Sequence, residues 1–122
     1  MHAGPVPRPR PAVSVSVGFG VRSGGVPPSD YARVVLDACD RVPAGRAATY
    51  GDIAEYTGRG SARTVGTVMS RYGTEVPWWR IVQASGRPAE PHVQDALRRL
   101  AAEGCPLVGE RVDLARARWD GR

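Results

Sequence analysis

Apolar positions recur at helical spacing in successive stretches of the chain. Tyr31, Val34, Val35, Ala38 and Cys39 fall on one face of a helix that starts at Ser29 or Asp30, after Pro27-Pro28, and runs to about Arg41. Pro43-Ala44-Gly45 ends it. Thr49 with Asp52 three residues on reads as a capping box. It opens a short helix over about 51–57, with Ile53 and Ala54 turned inward. Gly58-Arg59-Gly60 is a tight turn. Ser61 caps a helix over about 62–71, whose stripe is Val65, Val68, Met69 and Tyr72. Two short helices joined by a glycine turn form the helix-turn-helix pattern, and the second member is the recognition helix. Trp78-Trp79-Arg80-Ile81-Val82 reads as a strand, closed by a turn at Ala84-Ser85-Gly86 and followed by a loop over 87–91. Val93, Ala96, Leu97, Leu100 and Ala101 place a helix over 92–103 that ends at Gly104. Residues 105–108 and 111–114 suggest a short hairpin or wing. No internal repeat is present.

The expected fold is therefore mainly α with a short β element. A length of 122 residues with 42% apolar side chains supports one compact domain over 30–122. Residues 1–29 differ in composition: they hold six of the 11 prolines and five glycines. Val13 to Val17 alternate like a strand, but Gly18 and Gly20 follow at once. The segment is expected to be a mostly disordered, loosely attached tail. Ser14, Ser16 and the glycines interrupt any apolar region of a secretory signal, so a cytoplasmic, nucleoid-associated protein with free thiols is expected. No run approaches the ~20 apolar residues of a membrane span. Two cysteines, Cys39 and Cys105, supply neither a disulfide framework nor a zinc site, and no metal or cofactor is expected.

All 17 basic residues are Arg, against 12 acids, for a net charge of +5. The tail, with Arg8, Arg10, Arg22 and no acid, carries +3 of this; the rest has 14 Arg and 12 acids. A basic chain favours polyanions, nucleic acid first. Exclusive use of Arg favours bidentate phosphate contacts, and also follows from a G·C-rich codon bias. Arg63 lies near the start of the recognition helix, with Arg59 before and Arg71 after, and no acid falls between Glu55 and Glu75. The small residues Ser61, Ala62, Gly66 and Thr67 allow close approach to DNA, and the amides there can meet a phosphate. The bland alternative is a solvated helix face. Adjacent Trp78 and Trp79, as a strand, point to opposite sides: a stacking platform for a base, or two core residues. His92 sits in a proline-flanked loop with no evident partner, and Cys39 and Cys105 read as structural thiols. No catalytic constellation is evident.

The order of motifs is more specific than any one of them. Val42-Pro43-Ala44-Gly45-Arg46, Thr49-Tyr50-Gly51-Asp52-Ile53-Ala54, Ala62-Arg63-Thr64-Val65-Gly66 and Pro77-Trp78-Trp79-Arg80-Ile81-Val82 together resemble the C-terminal DNA-binding domain of O6-alkylguanine-DNA alkyltransferases over roughly 31–114. That family has Pro-Cys-His-Arg where this chain has Pro77-Trp78-Trp79-Arg80. Trp78 stands for the nucleophilic Cys and Trp79 for its His, as in the alkyltransferase-like group with Trp at the cysteine position. An indole forms no thiolate and accepts no alkyl group.

The resemblance implies a winged helix-turn-helix and a non-enzymatic role in DNA damage recognition. Duplex DNA containing alkylated guanine is the implied ligand, with nucleotide excision repair proteins as further partners and the protein a monomer. It implies that the recognition helix enters the minor groove through Ser61, Ala62, Arg63, Thr64, Gly66 and Thr67. Arg63 then fills the gap left by a flipped nucleotide, and Tyr50 crowds the target phosphate. The implied lesion pocket comprises Tyr50, Trp78, Arg80, Ser85 and Arg87, with Arg80 bonding nearby carbonyls. Departures from the pattern are Trp79, Tyr72 in place of a hinge Asn, and the loop Arg87-Pro88-Ala89-Glu90-Pro91, with Pro91 where a base-sensing Arg occurs and Arg87 or His92 as the candidates to substitute for it. The alternative is a general winged-helix DNA-binding or regulatory protein without lesion selectivity.

Overall fold

The computed structural model describes residues 29–122, so the expected tail lies, but for Ser29, outside the described residues. Helix α1 spans Asp30–Asp40, and the Ser29 hydroxyl accepts from the Ala32 amide at 3.1 Å. Its buried arc is Ala32, Val35, Ala38 and Cys39. Val34, expected on that face, is 39% exposed. At about 100° per residue it lies at the edge of the arc, a full step round from Val35.

Strand β1, Ala48–Thr49, leads directly into helix α2, Tyr50–Thr57. The capping box is closed in both directions: Asp52 N–H donates to Thr49 Oγ1 at 2.9 Å, and Thr49 N–H to Asp52 Oδ2 at 3.1 Å. Gly58 ends α2 at φ +72, a conformation that favours glycine. Gly60 is also left-handed, and a Cβ there would strike the Tyr31 hydroxyl. These two glycines permit the tight turn into helix α3, Ala62–Tyr72, which has its own capping box between Ser61 and Thr64. Helices α1, α2 and α3 pack on one another.

Trp78–Arg80 form a 3-10 turn, not the expected strand, and only Ile81–Val82 are extended, as β2. Pro77 starts the turn, its carbonyl accepting from the Arg80 amide at 3.1 Å. Helix α4, Val93–Ala102, buries Val93, Ala96, Leu97 and Leu100, whereas Ala101, expected in that stripe, is exposed at its edge. The hairpin is confirmed as antiparallel β3, Leu107–Val108, and β4, Arg111–Val112. A one-turn helix α5, Leu114–Ala117, follows.

Strands β1 and β2 pair in parallel and divide the interior. Ala48 and Ile81 face the core beneath the three N-terminal helices. Ala47 and Val82 face a second core with Leu100, Cys105, Val112 and Ala117. This alternation is the pleat at work. The chain end closes the first core: Trp119 is buried, its ring edge-on to Tyr56 at 5.3 Å, and its carbonyl accepts from the Tyr56 hydroxyl at 2.6 Å.

Candidate nucleic-acid interface

Helix α3 presents Ala62, Arg63, Thr64 and Thr67 to solvent, beside the exposed cap Ser61. Gly66 is half-buried in mid-helix, and a Cβ built on it would meet nothing within 4 Å. No intramolecular contact therefore requires glycine at this position. The Thr67 hydroxyl bonds back to the Arg63 carbonyl at 3.2 Å, and Thr64 Oγ1 pairs with the Tyr31 hydroxyl at 2.7 Å. Arg63 and Arg71 take part in none of the ion pairs among the described residues. Arg59 lies over the Tyr31 ring at 5.3 Å, at the start of the same face.

Beside α3 opens a cavity of about 630 Å³, within the ~300–1,000 Å³ usual for small-molecule sites. Gly66, Met69 and Ser70 of α3 line one wall, and Tyr50 lines it from the first position of α2. Trp78 and Trp79 both line it, a consequence of the 3-10 turn that a strand would have prevented. Their rings meet edge to face at 5.7 Å and 88°. The opposite wall is the loop from Pro88 to His92, with Asp95 and Ala96 of α4. Burial holds the Tyr50 phenol above its ordinary value near 10, so it remains a hydroxyl at neutral pH.

Three of the pocket residues expected from the sequence do not line this cavity: Arg80, Ser85 and Arg87. Arg80 points the other way. Its Nη1 donates to the Val42 carbonyl at 2.8 Å and its Nη2 to Glu103 at 2.6 Å. Trp79 Nε1 donates to the same carboxylate at 3.0 Å. Ser85 is exposed in the turn before Gly86. Arg87 ties the loop to the hairpin, pairing with Glu110 at 2.8 Å and Glu90 at 3.2 Å. Tyr72 closes α3, half-buried against the first core.

Sequence patterning left Glu103 and Arg99 unassigned and gave His92 no partner. Glu103 anchors Arg80 and Trp79 with only 17% of its side chain exposed. Burial pushes its carboxyl up, but the bonds from Arg80, Trp79 and the Gly45 amide, with the charge of Arg80, hold it below the ordinary range. Arg99 lies 5.5 Å from the Trp78 ring and 4.9 Å from that of Trp79. His92, without an evident partner in sequence, lines the cavity with its ring 5.8 Å from Trp78. All three come from α4 or its ends, 13–25 residues from the tryptophans, so local pattern carries no sign of these contacts.

Neither cysteine lines the cavity. Cys39 is fully buried, its thiol pushed up to about 12 by burial and then by Asp40, and its Sγ lies 3.7 Å from Met69 Sδ. Burial also raises Cys105. Among the described residues no group of three or more His, Cys, Asp or Glu could hold a metal ion, and no helix is long and apolar enough to cross a membrane.

Residues 30–105 match the family described as 6-O-methylguanine DNA methyltransferase, DNA binding domain. Alkyltransferase-like protein 1 of Schizosaccharomyces pombe is 44% identical over 97 residues, covering 70% of this chain and 90% of that protein. Among solved structures, S. pombe Atl1 in complex with damaged DNA containing O6-carboxymethylguanine superposes with a TM-score of 0.66 at 29% identity, over 75% of this chain and 95% of that one. Mycobacterium tuberculosis OGT in complex with DNA gives 0.58 at 25% identity, over 76% of this chain and 56% of that one.

Proposed function

The chain belongs to the family of the 6-O-methylguanine DNA methyltransferase DNA-binding domain, and from that premise we propose that it recognises alkylated guanine in duplex DNA without repairing it. One observation carries the reading. Trp78 walls a cavity beside the recognition helix, at the position where the alkyltransferase pattern has its acceptor cysteine. The similarity to a protein solved on O6-carboxymethylguanine DNA supports the same class of ligand.

In this reading α3 lies in the minor groove, with Ser61, Ala62, Gly66 and Thr67 against the sugar-phosphate walls. Arg63 enters the stack where the nucleotide leaves it, and Tyr50 crowds the phosphate that must turn. The base then rests against Trp78. Extrusion costs a few kcal/mol and least for a mispaired base, which favours O6-alkylguanine over guanine. Trp78 offers no thiolate, and both cysteines are buried with raised pKa, so the alkyl group stays on the DNA. The held complex is the signal for nucleotide excision repair proteins.

Fluorescence anisotropy with two duplexes, identical but for one O6-methylguanine, tests this at fixed salt. The modified duplex binds more tightly. Trp78→Ala removes that preference, and Arg63→Ala weakens both complexes. Equal binding of both duplexes by the unaltered protein would leave a general winged-helix DNA-binding domain. A methyl adduct on Cys39 or Cys105 by mass spectrometry would make it an alkyltransferase.

A further inference from the structure

The loop that walls the cavity opposite α3 is fastened from behind. Pro88, Ala89, Glu90 and Pro91 line the cavity. At the base of the loop the Arg87 carbonyl accepts from the Gln83 amide at 2.9 Å, and the Pro88 carbonyl from Gln83 Nε2 at 3.2 Å. Among the described residues, one side-chain hydrogen bond reaches the wall beyond Pro88: Arg87 Nη2 donates to Glu90 Oε2 at 3.2 Å. The same guanidinium extends away from the cavity, and its Nη1 donates to Glu110 Oε1 at 2.8 Å. Glu110 lies in the turn between β3 and β4, at the tip of the wing. Its other oxygen, Oε2, accepts from Gln94 Nε2 of α4 at 2.9 Å. The backbones bring loop and wing together: the Val112 amide donates to the Gly86 carbonyl at 2.8 Å, and a Cβ on Gly86 would strike the Val112 carbonyl. Helix α3 takes part in none of these bonds.

We propose that Glu110, on the wing, is a positioning residue for the lesion pocket: through Arg87 it holds the Pro88–Pro91 wall in place for a base resting on Trp78. The inference rests on the function proposed above and gives the wing a part in selecting the lesion. A wall that is free to move must be ordered when a base arrives, whereas a wall already held has that cost removed. The saving is realised only when a base has left the stack, so it favours a duplex whose base is readily extruded over one whose bases stay paired. An isolated exposed ion pair contributes little, but here four side chains form one network: Arg87 grips the carboxylates of Glu90 and Glu110, and Gln94 orients the outer one. Arg87, which the resemblance places in the pocket, thus acts on it from the far side of the loop.

The test is a double-mutant cycle read as a ratio of affinities. Anisotropy at fixed, low salt gives the preference for a duplex carrying one O6-methylguanine over its unmodified twin. It is measured for the full chain and for Glu110→Ala, Arg87→Met and the double variant. The ratio cancels the change in overall charge, which acts on both duplexes alike. Glu110→Ala should lower the ratio about two- to fivefold, the worth of a networked exposed pair, and Arg87→Met by at least as much. The double variant should fall no lower than Arg87→Met, because Glu110 acts through Arg87. In the free protein, 1H–15N spectra should show the amides of Ala89 and Glu90 displaced in both single variants. An unchanged ratio in Glu110→Ala, losses that add in the double variant, or loop amides that stay in place would each overturn the proposal. If the unaltered protein does not prefer O6-methylguanine to guanine, the proposed function fails first and this inference with it. If it does prefer O6-methylguanine and Glu110→Ala keeps that preference whole, the inference alone fails. Thermal unfolding of each variant confirms that the exposed substitutions leave the fold intact.

Discussion

Replacing Gly66 by Ala should stabilise the protein and impair it at the same time. Gly66 lies five residues into α3, outside the left-handed region, with open space where a Cβ would stand. Glycine in a helix interior costs about 0.8–1 kcal/mol relative to alanine, through backbone entropy. Nothing in the protein offsets that cost, because no neighbour occupies the vacant position. Gly66→Ala should therefore raise stability by about 0.8–1 kcal/mol, a Tm increase of roughly 4–8 °C for a domain of this size. If α3 lies against the sugar-phosphate walls, the added methyl projects into that contact. A loss of about tenfold in DNA affinity, ~1.4 kcal/mol, is expected, and Gly66→Gln should lose more. Circular dichroism melting and anisotropy on one duplex at fixed salt give both quantities. A higher Tm with unchanged affinity would refute the placement of α3 on DNA. A lower Tm would refute the packing argument itself.

Glu103→Ala should cost about 3 kcal/mol in urea unfolding, since it leaves the Arg80 guanidinium, 16% exposed, without its counter-charge. The pH dependence follows from the lowered carboxyl of Glu103: as pH falls below the ordinary value near 4.5, the unfolded chain takes up its proton first and stability drops. In Glu103→Gln this part of the acid loss should be absent; a wild-type profile in that variant would assign it elsewhere. Deleting residues 1–28 removes three arginines and keeps the Ser29 cap, so the slope of log affinity against log salt should flatten by up to ~2.7 if all three meet phosphate. An unchanged slope would leave the tail out of the interface.

The helix-turn-helix was legible because its signals are local. Thr49 with Asp52, the glycine turn and Ser61 each satisfy or redirect backbone groups within four residues, and all three appear as expected. Helix faces were legible at their centres and failed at their edges, where Val34 and Ala101 are apolar enough for either side. The tryptophan segment failed for a different reason. A β-prone run read alone gives a strand, but Pro77 and the clamp of Arg80 and Trp79 on Glu103 turn it into a 3-10 turn that brings both indoles to one cavity. That clamp joins residues 23 and 24 apart, beyond the reach of periodicity. Tyr50 and Trp78, which the resemblance aligned, both line the cavity. Arg80, Ser85 and Arg87 were carried over by the same alignment but lie off the cavity; Arg80 does bond a nearby carbonyl, that of Val42, as expected, and the directions of Arg80 and Arg87 are set by distant partners, here Val42, Glu103 and Glu110.

The central claim is that an alkyl group on guanine enters the Trp78 cavity and leaves it unchanged. Nuclear magnetic resonance of a duplex whose single O6-methylguanine carries a 13C-labelled methyl tests both halves together. On addition of the protein, the methyl signal should move upfield under the ring currents of Trp78 and Trp79, then return to its free position when high salt dissociates the complex. A methyl signal that stays in place while the duplex is bound, or one that reappears at the position of an S-methyl group, would contradict the account.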